Sequence, residues 1–142
     1  TTKNFLGYVD DKYFDGLIFH RVIQGFMIQG GGFDPAMKKK NTREPIPNEA
    51  TADKKNVRGT LAMARTSVID SASSQFFINL KNNAMLDHRD RTGRGFGYCA
   101  FGKVIKGMDV VDKIAAVTVA DAGGHQSVPT VPVIIKSIRR AK

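Results

Sequence analysis

The brevity of its apolar runs most constrains what this chain can fold into. Residues 17–23 and 26–29 flank Gly25, and residues 60–64, 76–80, 98–104 and 133–138 follow. Each run is short, rich in aromatic and β-branched residues, and bounded by Gly, Asn, Asp or Pro. That pattern predicts strands. Many short strands with little helical periodicity predict a mainly β fold, a barrel or a sandwich. Helical spacing is confined to two places. Met108, Val111 and Ile114 recur about one turn apart, as do Val110 and Ile114, while Asp109, Asp112 and Lys113 fall mostly on other faces. Phe5, Leu6 and Tyr8 read as the end of a helix whose beginning would precede Thr1.

At 142 residues the chain is long enough for one domain with a sizeable core, and a single domain over 1–142 is expected. Nine Phe and three Tyr supply enough apolar surface to oppose disorder. No run reaches the roughly 18 apolar residues of a membrane helix, so no membrane partner is expected. The single cysteine excludes an internal disulfide framework and a Cys-based zinc cluster. A net charge of +9 could suit a polyanion. The basic residues lie in polar loops, beside Asp87 and Asp90, or in a short tail at Arg139, Arg140 and Lys142. They form neither a basic helix nor a basic–aromatic alternation, so solvated faces are expected and a nucleic-acid partner is not. Residues 33–58 carry Pro35, Pro45 and Pro47 and no strand pattern, which predicts a long loop pinned at both ends.

Conventional chemistry finds little support. Cys99 sits in a strand-like run beside Tyr98 and Ala100, a core thiol rather than an activated nucleophile. His20, His88 and His125 lack metal-ligand spacing, and no metal or other cofactor is expected. Gly30-Gly31-Gly32 has neither a dinucleotide nor a P-loop arrangement, and Gly93, Gly95 and Gly97 lack a strand-to-helix context. Arg21 is more informative. It lies inside an apolar run, and strand alternation puts Phe19, Arg21 and Ile23 on one face. A buried or half-buried guanidinium is costly unless paired or used. Gln29 and Gln75 also lie in or beside apolar runs and can hold an Arg by hydrogen bonding. Together these predict a shallow apolar site with a few fixed polar groups.

Four blocks then resemble one family in order and spacing. Residues 19–31 (FHRVIQGFMIQGG) look like the signature of the cyclophilins, which are peptidyl-prolyl cis-trans isomerases. Residues 58–65 (RGTLAMAR), 74–78 (SQFFI) and 101–108 (FGKVIKGM) resemble the later blocks, and the similarity runs over about residues 4–138. The Met-Ala-Arg and Gly-Tyr-Cys variants look bacterial. The resemblance implies an eight-stranded antiparallel closed barrel with a helix capping each end and a site on its outer face. It also implies a segment ahead of Thr1 that supplies the first two strands, which are therefore expected to be absent from this chain.

By match to the family motif, Arg21 is the catalytic residue. Phe26, Met27, Phe77 and Leu86 line the proline pocket, and Gln29 holds Arg21 and reaches the substrate backbone. Ala64, Arg65 and Gln75 border the peptide groove. Arg65 stands where many relatives have Asn, so its role there falls to its main chain. Met85 replaces a frequent Trp and Tyr98 a frequent His at the pocket rim, which implies weak binding of cyclosporin. The implied function is rotation about Xaa-Pro bonds, with proline-containing peptides and unfolded or folding proteins as partners. A binding module with little turnover is the alternative, and a basic nucleic-acid-binding barrel is a third reading that rests on charge alone. A bacterial cytoplasmic location is expected, with the periplasm as the alternative.

Overall fold

Strands form here where β-branched and aromatic side chains can alternate between two faces and pair with a neighbour. The computed structural model describes residues 1–142. Its elements are α1 (Thr2–Asp10), β1 (Arg21–Ile23), β2 (Met27–Gly30), β3 (Thr60–Met63), β4 (Phe76–Asn79), a 3₁₀ turn (Ala84–Leu86), β5 (Ala100–Lys103), α2 (Met108–Ala115), β6 (Val119–Ala122) and β7 (His125–Pro129). The first five strands form an antiparallel sheet in the order β1-β2-β4-β3-β5, and β6 pairs with β7 in a separate hairpin. The fold is mainly β with two helices, and the loop over residues 33–58 contains neither helix nor strand.

The two faces of the sheet have different jobs. On one, Val22, Ile28 and Ile78 meet Val111 and Ala115 of α2, while Met63 and Phe76 meet Tyr8 and Val9 of α1. Phe5 and Phe14 approach the Phe76 ring edge-on, with centroids 5.4 and 5.5 Å away. Each fully buried side chain of this size contributes about 1.5–3 kcal/mol. The opposite face carries Met27, Ala62, Phe77 and Ala100, against which Phe26, Leu86 and Tyr98 pack. Gly31 permits the turn out of β2. Its φ is 88°, and a Cβ there would lie 2.9 Å from the Phe14 ring. The triple glycine is thus a packing device.

Several expectations are corrected. The closed eight-stranded barrel is not formed, because β1 and β5 are the edges of an open five-stranded sheet and no ladder joins them. The expected strand over 133–138 shrinks to one bridge, Ile18 to Ile134. Continuing that antiparallel register would set Pro132, which has no N–H, opposite His20, and would set Lys136 opposite Gly16, whose φ of 82° leaves extended geometry. Phe19 does not share a face with Arg21 and Ile23. The strand begins only at Arg21, and Phe19 packs on the helix side against Phe76. Phe5, Leu6 and Tyr8 lie in α1, which ends at Asp10. Val110 faces solvent rather than joining Ile114. The hairpin β6–β7 was not expected. All four β6 residues are exposed, so no apolar alternation marks it, although Gly123-Gly124 is a two-residue hairpin signal.

His20 is 4% exposed beneath Phe33 and His125, and its Nδ1 has no partner. Burial, with nearby His125 and Arg21, lowers its pKa to about 4. The unfolded chain therefore binds a proton at higher pH than the folded one, near pH 6.5. Stability is fully present above that pH and falls as pH drops toward 4. Asp10 and Asp15, held below the usual carboxylate range by hydrogen bonds from Arg140 and Arg139, titrate below this window. Urea unfolding is expected to show a loss of about 2 kcal/mol between pH 7 and pH 5, and His20→Gln to remove most of that slope. A pH-independent midpoint in the parent chain would contradict the assignment.

Candidate functional site

One rung of the sheet builds the site. Arg21 stands opposite Gln29, Gln29 opposite Phe77, Phe77 opposite Ala62, and Ala62 opposite Ala100. Residues directly opposite in antiparallel strands project from the same face. Five strands thus deliver a cation, an amide, an aromatic ring and two small side chains to one surface. Arg21 Nη1 donates to Gln29 Oε1 at 3.3 Å, and Gln29 Nε2 donates to Gln75 Oε1 at 3.0 Å. This relay orients the guanidinium while leaving it exposed, which corrects the expectation of a buried or half-buried charge.

A cavity of about 230 Å³ opens beside this rung. Phe26, Met27, Ala64, Phe77, Leu86 and Tyr98 form its apolar wall, and Arg21, Gln29 and Arg65 supply its polar edge. Nine of the eleven expected residues therefore converge. Gln75 stands behind Gln29 rather than on the wall. Met85 is 58% exposed and lines a neighbouring cleft that shares Arg65, Leu86 and Tyr98 with the cavity.

Arg65 is held tightly for a surface side chain. Its Nε donates to Gly97 O at 3.0 Å, and its Nη1 and Nη2 donate to Thr66 O and Gly93 O, each at 2.9 Å. The guanidinium lies 4.8 Å from the centroid of the Tyr98 ring, which in turn meets Phe77 edge-on at 5.8 Å. The Arg65 backbone N–H and C=O make no hydrogen bond within the chain, which leaves them free for an extended peptide. Gly97 takes a φ of 76°, and a Cβ there would lie 2.6 Å from Leu86 O. The alternating glycines thus admit close backbone packing rather than a phosphate.

Three buried asparagines behind the cavity were not singled out from the sequence. Asn56, Asn79 and Asn83 are each at most 1% exposed. Asn56 Nδ2 donates to Leu86 O at 3.2 Å and Tyr98 O at 3.1 Å, and Asn83 Nδ2 donates to Phe26 O at 2.9 Å. Asn79 Nδ2 donates to Asn56 Oδ1 at 3.1 Å, and Asn83 Nδ2 to Asn79 Oδ1 at 2.8 Å. One amide network thereby ties the backbones of three cavity walls to β4. Asn79, an amide inside the apolar run 76–80, was a signal for it, since a buried amide must find partners. Asn56 and Asn83 lie in polar stretches and give no such signal.

The arrangement offers no nucleophile. Cys99 is buried and lies off the cavity wall. His20 is packed against Phe33 and His125 rather than on the cavity wall. What remains is an exposed, oriented cation at the mouth of an apolar cavity, with free main-chain groups alongside.

Comparisons with known proteins fit this geometry. The family model described as cyclophilin type peptidyl-prolyl cis-trans isomerase/CLD matches residues 1–140. The chain is 55% identical over 138 residues to peptidyl-prolyl cis-trans isomerase B of Escherichia coli K12, covering 97% of this chain and 84% of that protein. It is 53% identical over 142 residues to peptidyl-prolyl cis-trans isomerase A of Dickeya dadantii, covering 100% and 73%. Among solved structures, a cyclophilin type peptidyl-prolyl cis-trans isomerase of Cryptosporidium parvum, determined in the presence of the dipeptide Ala-Pro, matches with a TM-score of 0.81 and 27% identity. That match covers 99% of this chain and 85% of the other.

The asparagine network predicts a stability effect. Asn56→Ala removes the donor to Tyr98 O, one of the two donors to Leu86 O and the acceptor of Asn79 Nδ2, and should cost about 2–4 kcal/mol in urea unfolding. It should also speed amide exchange at Tyr98, whose N–H donates to Leu86 O. A loss below about 1 kcal/mol with unchanged exchange would show that the network is dispensable.

Proposed function

The chain belongs to the cyclophilin-type peptidyl-prolyl cis-trans isomerase family and is an isomerase of Xaa-Pro bonds, and we propose that it turns the bond in the groove beside Arg21. The observation that carries this reading is the oriented guanidinium at the mouth of the apolar cavity. The two isomers of an Xaa-Pro bond differ by about 0.5–1 kcal/mol. The barrier between them, about 18–20 kcal/mol, reflects the partial double bond of a planar amide. Catalysis needs no bond to break. It needs the twisted state, in which resonance is lost and the proline nitrogen gains a lone pair, to be stabilised over the planar one.

Arg21 is the residue suited to that task. A guanidinium N–H donates to the nitrogen lone pair only when the bond is twisted, so the interaction favours the transition state selectively. Phe26, Met27, Phe77 and Leu86 hold the ring and exclude water. Because water favours the planar, more polar amide, a dry floor also lowers the barrier. Gln29 keeps Arg21 in position and reaches the substrate backbone. The main chain at Ala64 and Arg65, with Gln75 behind Gln29, borders the extended peptide. A million-fold acceleration requires about 8 kcal/mol, which a positioned cation and a dry pocket share. Unfolded and folding proteins, which carry accessible Xaa-Pro bonds, are the natural clients. The relative determined in the presence of Ala-Pro supports proline peptides as ligands.

Arg21→Lys keeps the charge and loses the planar fork. Its kcat/KM on a proline peptide should fall by roughly 10- to 100-fold, equivalent to about 1.4–2.7 kcal/mol, with an unchanged circular dichroism spectrum. Near-parental activity would remove Arg21 from its role. The rim predicts a second effect. Met85 offers no hydrogen-bond donor, so cyclosporin should bind weakly, and Met85→Trp should tighten it about 5- to 30-fold with little change in kcat/KM. Tight binding by the parent chain in calorimetry, or no gain with Trp, would contradict the assignment of Met85.

A further inference from the structure

Beside the proline cavity lies a more open cleft of about 670 Å³, which shares Arg65, Leu86 and Tyr98 with it. Arg89 and Arg94 complete its charge, and no carboxylate lines it. Three of the chain's nine arginines therefore surround one cleft. Elsewhere Arg43, Arg58, Arg139 and Arg140 each pair with an Asp. Arg89 and Arg94 are exposed, and neither side chain makes an ion pair or donates a hydrogen bond within the chain.

Neither nearby carboxylate forms an ion pair with them, although hydrogen bonds from Thr92 and, to a lesser extent, the charge of Arg89 hold the Asp90 carboxyl below its usual range; the oxygens of Asp87 and Asp90 are turned to other donors. Asp87 Oδ1 accepts from the Asn56 N–H at 2.7 Å and from Asn56 Nδ2 at 3.3 Å. Asp90 Oδ1 accepts from the Thr92 N–H at 2.9 Å and its hydroxyl at 2.5 Å. Arg65 commits three of its five N–H donors to carbonyls, as described above, so it is held in place while adding positive potential to the cleft. Arg89 and Arg94 keep their donors free. Guanidinium groups suit carboxylate and phosphate oxygens, and converging like charges raise the local concentration of anions.

Resting on the isomerase reading above, we infer that this cleft is a specificity subsite that receives an anionic side chain of the substrate peptide. An extended peptide advances about 3.3 Å per residue. With Leu86, Tyr98 and Arg65 common to both hollows, the side chain in the cleft belongs to a residue within three positions of the proline, on one side only. Asp and Glu are the ordinary bearers of that charge, and a phosphorylated Ser carries the same chemistry with more of it.

The test is a set of short Xaa-Pro peptides with Glu, phosphoserine, Gln or Lys at each of three positions on either side of proline. Both kcat/KM and affinity by fluorescence titration are measured at low salt, for the parent chain and for the double variant Arg89→Glu/Arg94→Glu. The result expected is a Glu-over-Gln ratio of about 3- to 10-fold at positions on one side, with Lys disfavoured there. The ratio should shrink at high salt and invert in the double variant. A larger ratio for phosphoserine separates phosphate from carboxylate as the preferred anion, and either one supports the subsite. A ratio near one at every position, or one that survives in the double variant with its circular dichroism intact, overturns the inference. If even the Gln peptides show no turnover, the isomerase reading fails, and the affinity ratios still decide the subsite.

Discussion

The register of β1 against β2 is the constraint on which the rest of the site depends. Directly beside the functional rung runs an apolar one, in which Val22 faces Ile28, Ile28 faces Ile78 and Ile78 faces Leu61. Val22 is 1% exposed and Ile28 fully buried. A slip of one residue would turn Val22 toward solvent and drive Arg21 into the core between the sheet and α2. Each exposed aliphatic side chain would cost about 1.5–3 kcal/mol, and the buried cation several more. The hydrophobic rung therefore fixes where the Arg21 guanidinium points. Folding energy and site geometry are set by the same pairing.

A second layer of order comes from the amide network of Asn56, Asn79 and Asn83. Phe26, Leu86 and Tyr98 come from a turn, a 3₁₀ turn and a loop, elements that would move freely if held by apolar contact alone. Hydrogen bonds to their carbonyls tie them, through Asn79, to β4, the central strand of the sheet. The same fixing of Arg65 by three carbonyls keeps the wall between the cavity and the arginine-lined cleft in place. Electrostatic stabilisation of a twisted amide requires that such groups be positioned beforehand rather than reorganised during the reaction. On the proposed reading, a sheet rung backed by this hydrogen-bonded amide network supplies that rigidity, and the exposed Arg21 the charge.

Much of this was legible in the sequence because short apolar runs and single polar intruders are local signals. Arg21 between Phe19 and Val22, and Gln29 after Ile28, announced a polar edge on an apolar surface. The block from residue 19 to 31 carried the family. Runs 60–64 and 76–80 became β3 and β4 with ends displaced by one residue. What stayed hidden was non-local. The asparagine contacts join residues 23 and 31 positions apart, which no period can show. The hairpin β6–β7 has an exposed first strand and so no hydrophobic pattern. Residues 133–138 look like a strand, yet Pro132 and Gly16 limit them to one bridge. A polar residue in an apolar run reads as interior, whereas strand alternation turns Arg21 outward to solvent.

The central claim is that this chain lowers the barrier to Xaa-Pro rotation in the groove beside Arg21. Two-dimensional exchange NMR of a short Ala-Pro-containing peptide, with substoichiometric protein, measures that rate directly and needs no coupled protease. Cis–trans exchange cross-peaks are expected to grow with protein concentration, together with shifts of the Arg21, Phe77 and Tyr98 resonances as peptide is added. Exchange that stays at the uncatalysed rate of tens of seconds, or peptide-induced shifts confined to residues away from this groove, would contradict it.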